Sequence, residues 1–245
     1  MRQTIVITDL TQMPAGNQVC VVGINEKGQC IRPVCEGGFN KKYLYARDRL
    51  IVRPRAKIEF DLVETKIEPP HTEDKIFDPN TLKDYGFCND NEWESVLRNN
   101  SFKIVDSIFE GFLMEGSWVK PGSGNRSIAT LSKASKLTVQ LPEWEGNLRY
   151  RLIFQDDSRY SFDCSISDLA FRELAYTEVK KKNRERLEVS KELTKSLNNV
   201  DRIYLRLGLA RPFKRSDTDE LRCYLQVTSI YTFPDYLQGK TFADF

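Results

Sequence analysis

Apolar and polar positions alternate with a period of two through most of the first third of the chain, the pattern of half-buried β-strands. QVCVVGIN (18–25) and QCIRPV (29–34) flank Glu26-Lys27-Gly28. That spacing predicts a hairpin with its glycine at the turn. The run 49–67 continues the pattern: Leu50, Val52, Ala56, Ile58, Phe60 and Leu62 occupy even positions, while Arg49, Arg53, Arg55 and Lys57 occupy odd ones. It reads as one long strand with a core face and a basic face. Pro54 lacks an amide donor, so this strand should bend, bulge or lie at an edge, as in a small curved barrel. Residues 68–100 carry Pro69-Pro70, Asp78-Pro79 and Asn89-Asp90-Asn91 and read as loops around a short helix over 92–98. A returning strand is expected over 102–113.

The stretch GSWVKPGSGNRS (116–127) is rich in Gly, Ser and Pro and is expected to link a first domain over 1–115 to a second over 128–245. In the second, KLTVQL, then LRYRLIFQ and RYSFDCSI around Asp156-Asp157-Ser158, again read as strands. Ser167-Asp168 offers an N-cap to a run without Pro or Gly, which predicts one long helix over about 168–197. RIYLRLGLARPF and RCYLQVTSIYTF then form a closing antiparallel pair. The fold class is mainly β with a few helices.

Charge narrows the partners. Among 245 residues, 37 Lys and Arg stand against 35 Asp and Glu, a net charge of +2, so only local clustering can argue for nucleic acid. No apolar run reaches the roughly 18–20 residues that span a bilayer, so no membrane partner is expected. MRQTIVITDL has too short an apolar region for a secretory signal, which makes cytoplasmic residence the expectation. Six cysteines without close CxxC spacing read as reduced thiols; neither a cofactor nor a metal is expected. The single histidine, His71, reads as a loop residue. The glycines of Gly122-Ser123-Gly124 lack the lysine of a phosphate-binding loop. No catalytic constellation assembles, which favours a non-enzymatic role.

Two clusters have the chemistry of a nucleic-acid surface. Arg49, Arg53, Arg55 and Lys57 would stand two apart on a strand, at roughly 6–7 Å intervals that suit a phosphate backbone. In the closing pair Tyr204, Arg206 and Tyr224 would share the outer face, where rings stack on bases and guanidiniums meet phosphates. Arg211, Phe213 and Lys214 would follow in the next loop, and Arg32 would mark the equivalent strand end in the first half. A charged edge strand and an ordinary solvated sheet face have the same patterns. The cluster 180–186 reads as the solvated face of its helix.

The strings ITDLTQM, VCVVGINEKGQCIRPV, SWVKP, LRLGLARPF and YLQVTSIYTFPDYL resemble the bacterial dual OB-fold domain family. That resemblance implies two tandem OB-like five-stranded barrels, with ligands bound across strands 2 and 3 and the adjoining loops. It also implies a nucleic-acid-binding or sensing module in a bacterial genome-conflict or defence setting, taking single-stranded or distorted nucleic acid. The alternative is an adaptor that docks a partner effector through its barrels or through the tail aromatics Phe233, Tyr236, Phe242 and Phe245.

Overall fold

The computed structural model describes residues 1–13, 16–65, 68–217 and 219–245. The expected hairpin forms from β2 (Gln18–Asn25) and β3 (Cys30–Val34), with Gly28 in the left-handed region at φ +76°. β1 (Arg2–Gln12) runs antiparallel to β2 on one side and to β4 (Ala56–Thr65) on the other. β5 (Asp74–Phe87) pairs antiparallel with β4 and parallel with β3. The ring β1-β2-β3-β5-β4-β1 is therefore closed: an OB-like five-stranded barrel. Ile5, Ile7, Val21, Ile31, Ile58, Phe60 and Phe77 fill it. Closure removes the free sheet edges that an open sheet would expose.

The basic run departs from expectation. Arg49–Leu50 pairs only with Tyr45–Ala46, and the chain turns before β4 begins at Ala56, with Arg55 at φ +74°. Ile51, Val52 and Ala56 are drawn into the core at this turn, so burial wins over a continuous strand. β5 lies where loops were expected. Its polar, proline-containing sequence hides a strand whose register with β4 shifts three times. The expected short helix is present as α1 (Asp90–Asn99), capped by Asn89 and Glu92 in a reciprocal capping box and burying Trp93 and Leu97 one turn apart.

The chain from Ser101 belongs to a second core. Ser101–Phe102 pairs with β6 (Ile128–Leu131), and Val105, Ile108 and Phe109, in and beside a one-turn helix rather than the strand expected over 102–113, join that core. The expected linker is also built in: Trp118–Val119 pairs with the final strand, and Ser127 is fully buried. β7 (Ser135–Gln140), β8 (Arg151–Gln155), β9 (Ser161–Ile166), β10 (Arg202–Leu209) and β11 (Cys223–Phe233) continue an eight-stranded sheet in the order β7-β8-β9-β11-β10-β6. β9 and β11 are parallel; the other neighbours along that order are antiparallel.

The single helix over 168–197 is replaced by two. α2 (Leu169–Tyr176), capped by Asp168, runs into a π-helical turn over Thr177–Lys181, and α3 (Arg186–Asn198) follows. The break falls at Asn183, with φ +52°, a conformation that asparagine tolerates better than most residues. Arg184 stitches the bend, donating to Glu178 at 3.0 Å, Glu188 at 2.9 Å and Glu192 at 2.6 Å. Val189, Leu193 and Leu197 of α3 then face the core at four-residue spacing. Among the described residues, no helix is long and apolar enough to cross a membrane.

Candidate nucleic-acid interface

The two halves meet across a polar seam. Arg206 on β10 is fully buried, and its Nε donates to Asp9 Oδ2 on β1 at 2.9 Å. Its other nitrogens reach Thr130 Oγ1 at 3.0 Å and Cys30 Sγ at 3.6 Å. Asp9 also accepts from Thr228 at 2.5 Å and Thr8 at 2.8 Å. Burial opposes the Arg206 charge, but Asp9 and Cys30 outweigh it and hold the guanidinium above the ordinary arginine value. A buried cation survives here because its counter-ion and hydrogen bonds are supplied by both halves.

Arg32, which sits in the middle of β3 and not at the strand end expected of it, and Arg211, just beyond the end of β10, converge on one carboxylate of this seam. Arg32 is buried and donates to Asp74 Oδ1 at 3.0 Å, and Arg211 Nη2 forms an ion pair with Asp74 Oδ2 at 2.7 Å. Arg32 also reaches Ser127 Oγ at 2.9 Å, and Ser127 in turn donates to Glu73 at 2.6 Å. His71, expected as a loop residue, is buried beside Arg32 with its Nδ1 at 3.2 Å from the guanidinium. Burial first, then the fields of Arg32 and Arg211, lower its pKa to about 3. Arg32 and Arg206 thus bind the two halves together and present nothing to solvent.

The remaining sequence candidates separate into three environments. Tyr204 is buried rather than outward-facing, edge-on to Phe233, with its hydroxyl 3.4 Å from Glu94. It joins Trp93 and Leu97 in a small core between the halves. The basic stripe is neutralised except at Arg53: Arg49 meets Asp84 at 2.6 Å, Lys57 meets Glu92 at 3.1 Å, and Arg55 is paired with Asp90. Arg53 lies 4.1 Å over the Phe87 ring. The tail aromatics Phe233, Tyr236, Phe242 and Phe245 are each half-buried rather than free. Phe242 packs on the first core, and the Phe245 carbonyl accepts from Thr177 and Lys181.

Phe213 and Tyr224 line a groove of about 510 Å³ on the second half, but only Phe213 is exposed; Tyr224, expected to face outward, is as buried as Tyr204 because Phe213 and Arg215 cover its ring. The floor of the groove is the outer face of β8 and β9, with Arg151 and Ser165. One wall is the connection between β7 and β8, carrying Trp144, Arg149 and Tyr150. The other is the connection between β10 and β11, carrying Phe213 and Arg215. Trp144 is 64% exposed, so its ring is free to stack. Phe213 tilts against Tyr224 at 4.9 Å, and the Arg215 guanidinium lies 3.8 Å over the Tyr224 ring. Arg172 lies 4.6 Å over Tyr150, and burial presses its pKa below the ordinary arginine value. Lys214 stands exposed next to this wall.

Four arginines face two acids, Glu143 and Asp163, across this groove. Arg151 is paired with Asp163 at 2.8 Å, and Glu143 is engaged by Lys180 at 3.3 Å. Among the described residues, Arg149 and Arg215 have no ion-pair partner. The arrangement can stack planar bases and contact phosphates. Trp144, Arg149, Arg151 and Arg172 escaped the sequence reading, although LRYRLIF carried a signal: Arg149 and Arg151 are two apart on one face. Among the described residues, no group of three or more His, Cys, Asp or Glu side chains is placed to hold a metal. No protein-family model and no curated protein matches the chain.

Proposed function

We infer that the protein is a dual OB-like module that binds single-stranded or distorted nucleic acid through the groove of its second half. The carrying observation is the groove itself: exposed Trp144 and Phe213, and arginines without acidic partners, on the strand face and loops where OB barrels take oligonucleotides. The second half suits this reading. β6 and β7 are separated only by residues 132–134; if taken as one interrupted strand, the succession β6/7-β8-β9-β11-β10 repeats that of the first barrel, including its one parallel pair.

The first barrel has a different part. Its β1–β3 side carries Asp9, Cys30 and Arg32, all engaged in the seam, so that barrel serves as a platform for the second. One groove, not two, then takes the strand. The packed tail leaves less support for an adaptor that docks through its C-terminal aromatics.

Fluorescence anisotropy with single- and double-stranded oligonucleotides at about 50 and 200 mM salt tests this. Engagement of two to four phosphates predicts a salt slope of about −1.4 to −2.8 for a single strand, a roughly 7- to 50-fold loss over that range. Trp144→Ala should weaken binding about tenfold without changing stability, since the ring is mostly exposed. Undetectable or salt-independent binding removes the proposal.

A further inference from the structure

A second cavity, of about 700 Å³, opens on the seam between the halves, away from the groove. Arg53, Phe87 and Trp93 come from the first half; Tyr231, Phe233 and Phe242 come from the second. Its size falls in the range of small-molecule sites, which favour such junctions. None of the roles above uses it.

The acidic groups around it are already occupied. Asp90 is paired with Arg55. Asp168 accepts from the backbone amides of Ala170, Phe171 and Ile230, and Asp235 from those of Leu237 and Gly239. Two cations line it without an ion-pair partner among the described residues: exposed Lys240, whose Nζ lies 5.7 Å from the Phe245 ring centre, and Arg53. Arg53 is half-buried, its Nε is shielded from solvent without a hydrogen-bond partner, and no carboxylate lies within ion-pairing distance among the described residues. Asp244 feels its field, but that carboxylate bonds to Thr241. The Arg53 guanidinium is held over the half-exposed Phe87 ring, which fixes one face of a cation beside a wall of aromatic rings. A partly buried cation lacking a counter-ion calls for an anion, and the aromatic walls call for a flat ring.

We propose that this cavity binds an aromatic heterocycle carrying a phosphate, a nucleoside 5′-monophosphate, with the ring among Phe87, Trp93 and Tyr231 and the phosphate on Arg53. The ligand is either a free nucleotide or the terminal nucleotide of a strand. Only the second source depends on the groove reading, so the cavity stands or falls separately for free nucleotides.

Isothermal titration calorimetry of the full chain with AMP, GMP, CMP and UMP tests the site, with inorganic phosphate and adenosine as controls. Saturable binding of at least one nucleotide is expected, weakened about tenfold by Phe87→Ala and by Arg53→Gln, with phosphate and adenosine each weaker than the nucleotide. Both side chains are at least partly exposed, and circular dichroism checks that each variant folds. Mononucleotide binding lost in Trp144→Ala but kept in Phe87→Ala and Arg53→Gln would place it in the groove and overturn the proposal. In the strand arm, a 5′-phosphorylated oligonucleotide that competes with bound AMP assigns a terminal nucleotide, and one that leaves AMP in place assigns the free form. Absence of nucleotide binding at millimolar concentration overturns the proposal, as does equal binding of phosphate alone or binding unchanged in both variants.

Discussion

Replacing Arg206 by methionine tests the seam most directly. The side chain is fully buried against Asp9, which is itself fully buried, so the variant keeps most of the volume and removes only the charge and its donors. Asp9 would retain its bonds from Thr8 and Thr228 but lose its counter-ion. Removing one partner of a buried pair costs about 3–5 kcal/mol, because the surviving charge is stranded in a medium that solvates it poorly. For a chain of this length each kcal/mol lowers the melting temperature by about 2–4 °C, so a fall on the order of 10 °C is expected. Asp9→Asn should cost a similar amount, while the double variant Asp9→Asn with Arg206→Met should be more stable than the sum of its parts by about 1–3 kcal/mol. Urea denaturation monitored by fluorescence measures all four proteins. A single transition is expected for the parent, since the pair ties β1 of one half to β10 of the other. A loss below about 1 kcal/mol for Arg206→Met, or strict additivity in the cycle, would refute the view that this pair holds the halves together.

Two further perturbations probe the surrounding packing. In the folded chain His71 has a pKa of about 3, against about 6.5 when unfolded, so below pH 6.5 the unfolded state takes up the proton first. Its contribution is complete above about pH 6.5 and is lost as the pH falls toward 3. Asp168, which burial pushes up to about 7, acts with the opposite sign: its contribution is present below about pH 4 and is lost as the pH rises through 7. His71→Gln should therefore lose less stability than the parent on acidification from pH 7 to 4, measurable by denaturation of both proteins across that range; an unchanged pH profile would contradict the burial argument. Gly23→Ala would place a methyl 2.6 Å from the Val6 carbonyl oxygen and 2.7 Å from Ile5 Cδ1. With backbone on one side, the overlap should cost about 1–3 kcal/mol in the same denaturation assay.

The hairpins were legible because their evidence is local. Alternation around Gly28, around Asp156-Asp157-Ser158 and between 203 and 233 places strands where the structure has them. The N-cap at Asp168 also acts within a few residues of itself. β5 was not legible, since Asp78-Pro79 and a shifting register disguise a strand that is held by two neighbours distant in sequence. The continuous helix over 168–197 failed for the converse reason. Every residue in it has adequate helical propensity, and the bend at Asn183 is held by Arg184 reaching three glutamates at once.

The candidate site divides the same way. Sequence alone determined that the chain is mainly β and where most strands lie, because an alternating strand must send its apolar side chains to one face. It also marked Phe213 as an available aromatic. Only tertiary structure decided what the basic residues do. A guanidinium has the same pattern in sequence whether it faces water, a carboxylate or a ligand; the choice depends on which acid the fold brings within about 3 Å. Asp9 and Asp74 claim Arg206, Arg32 and Arg211 for the seam, Asp84, Asp90 and Glu92 quench the stripe except at Arg53, and Arg149 and Arg215 are left beside Trp144 and Tyr224 in the groove.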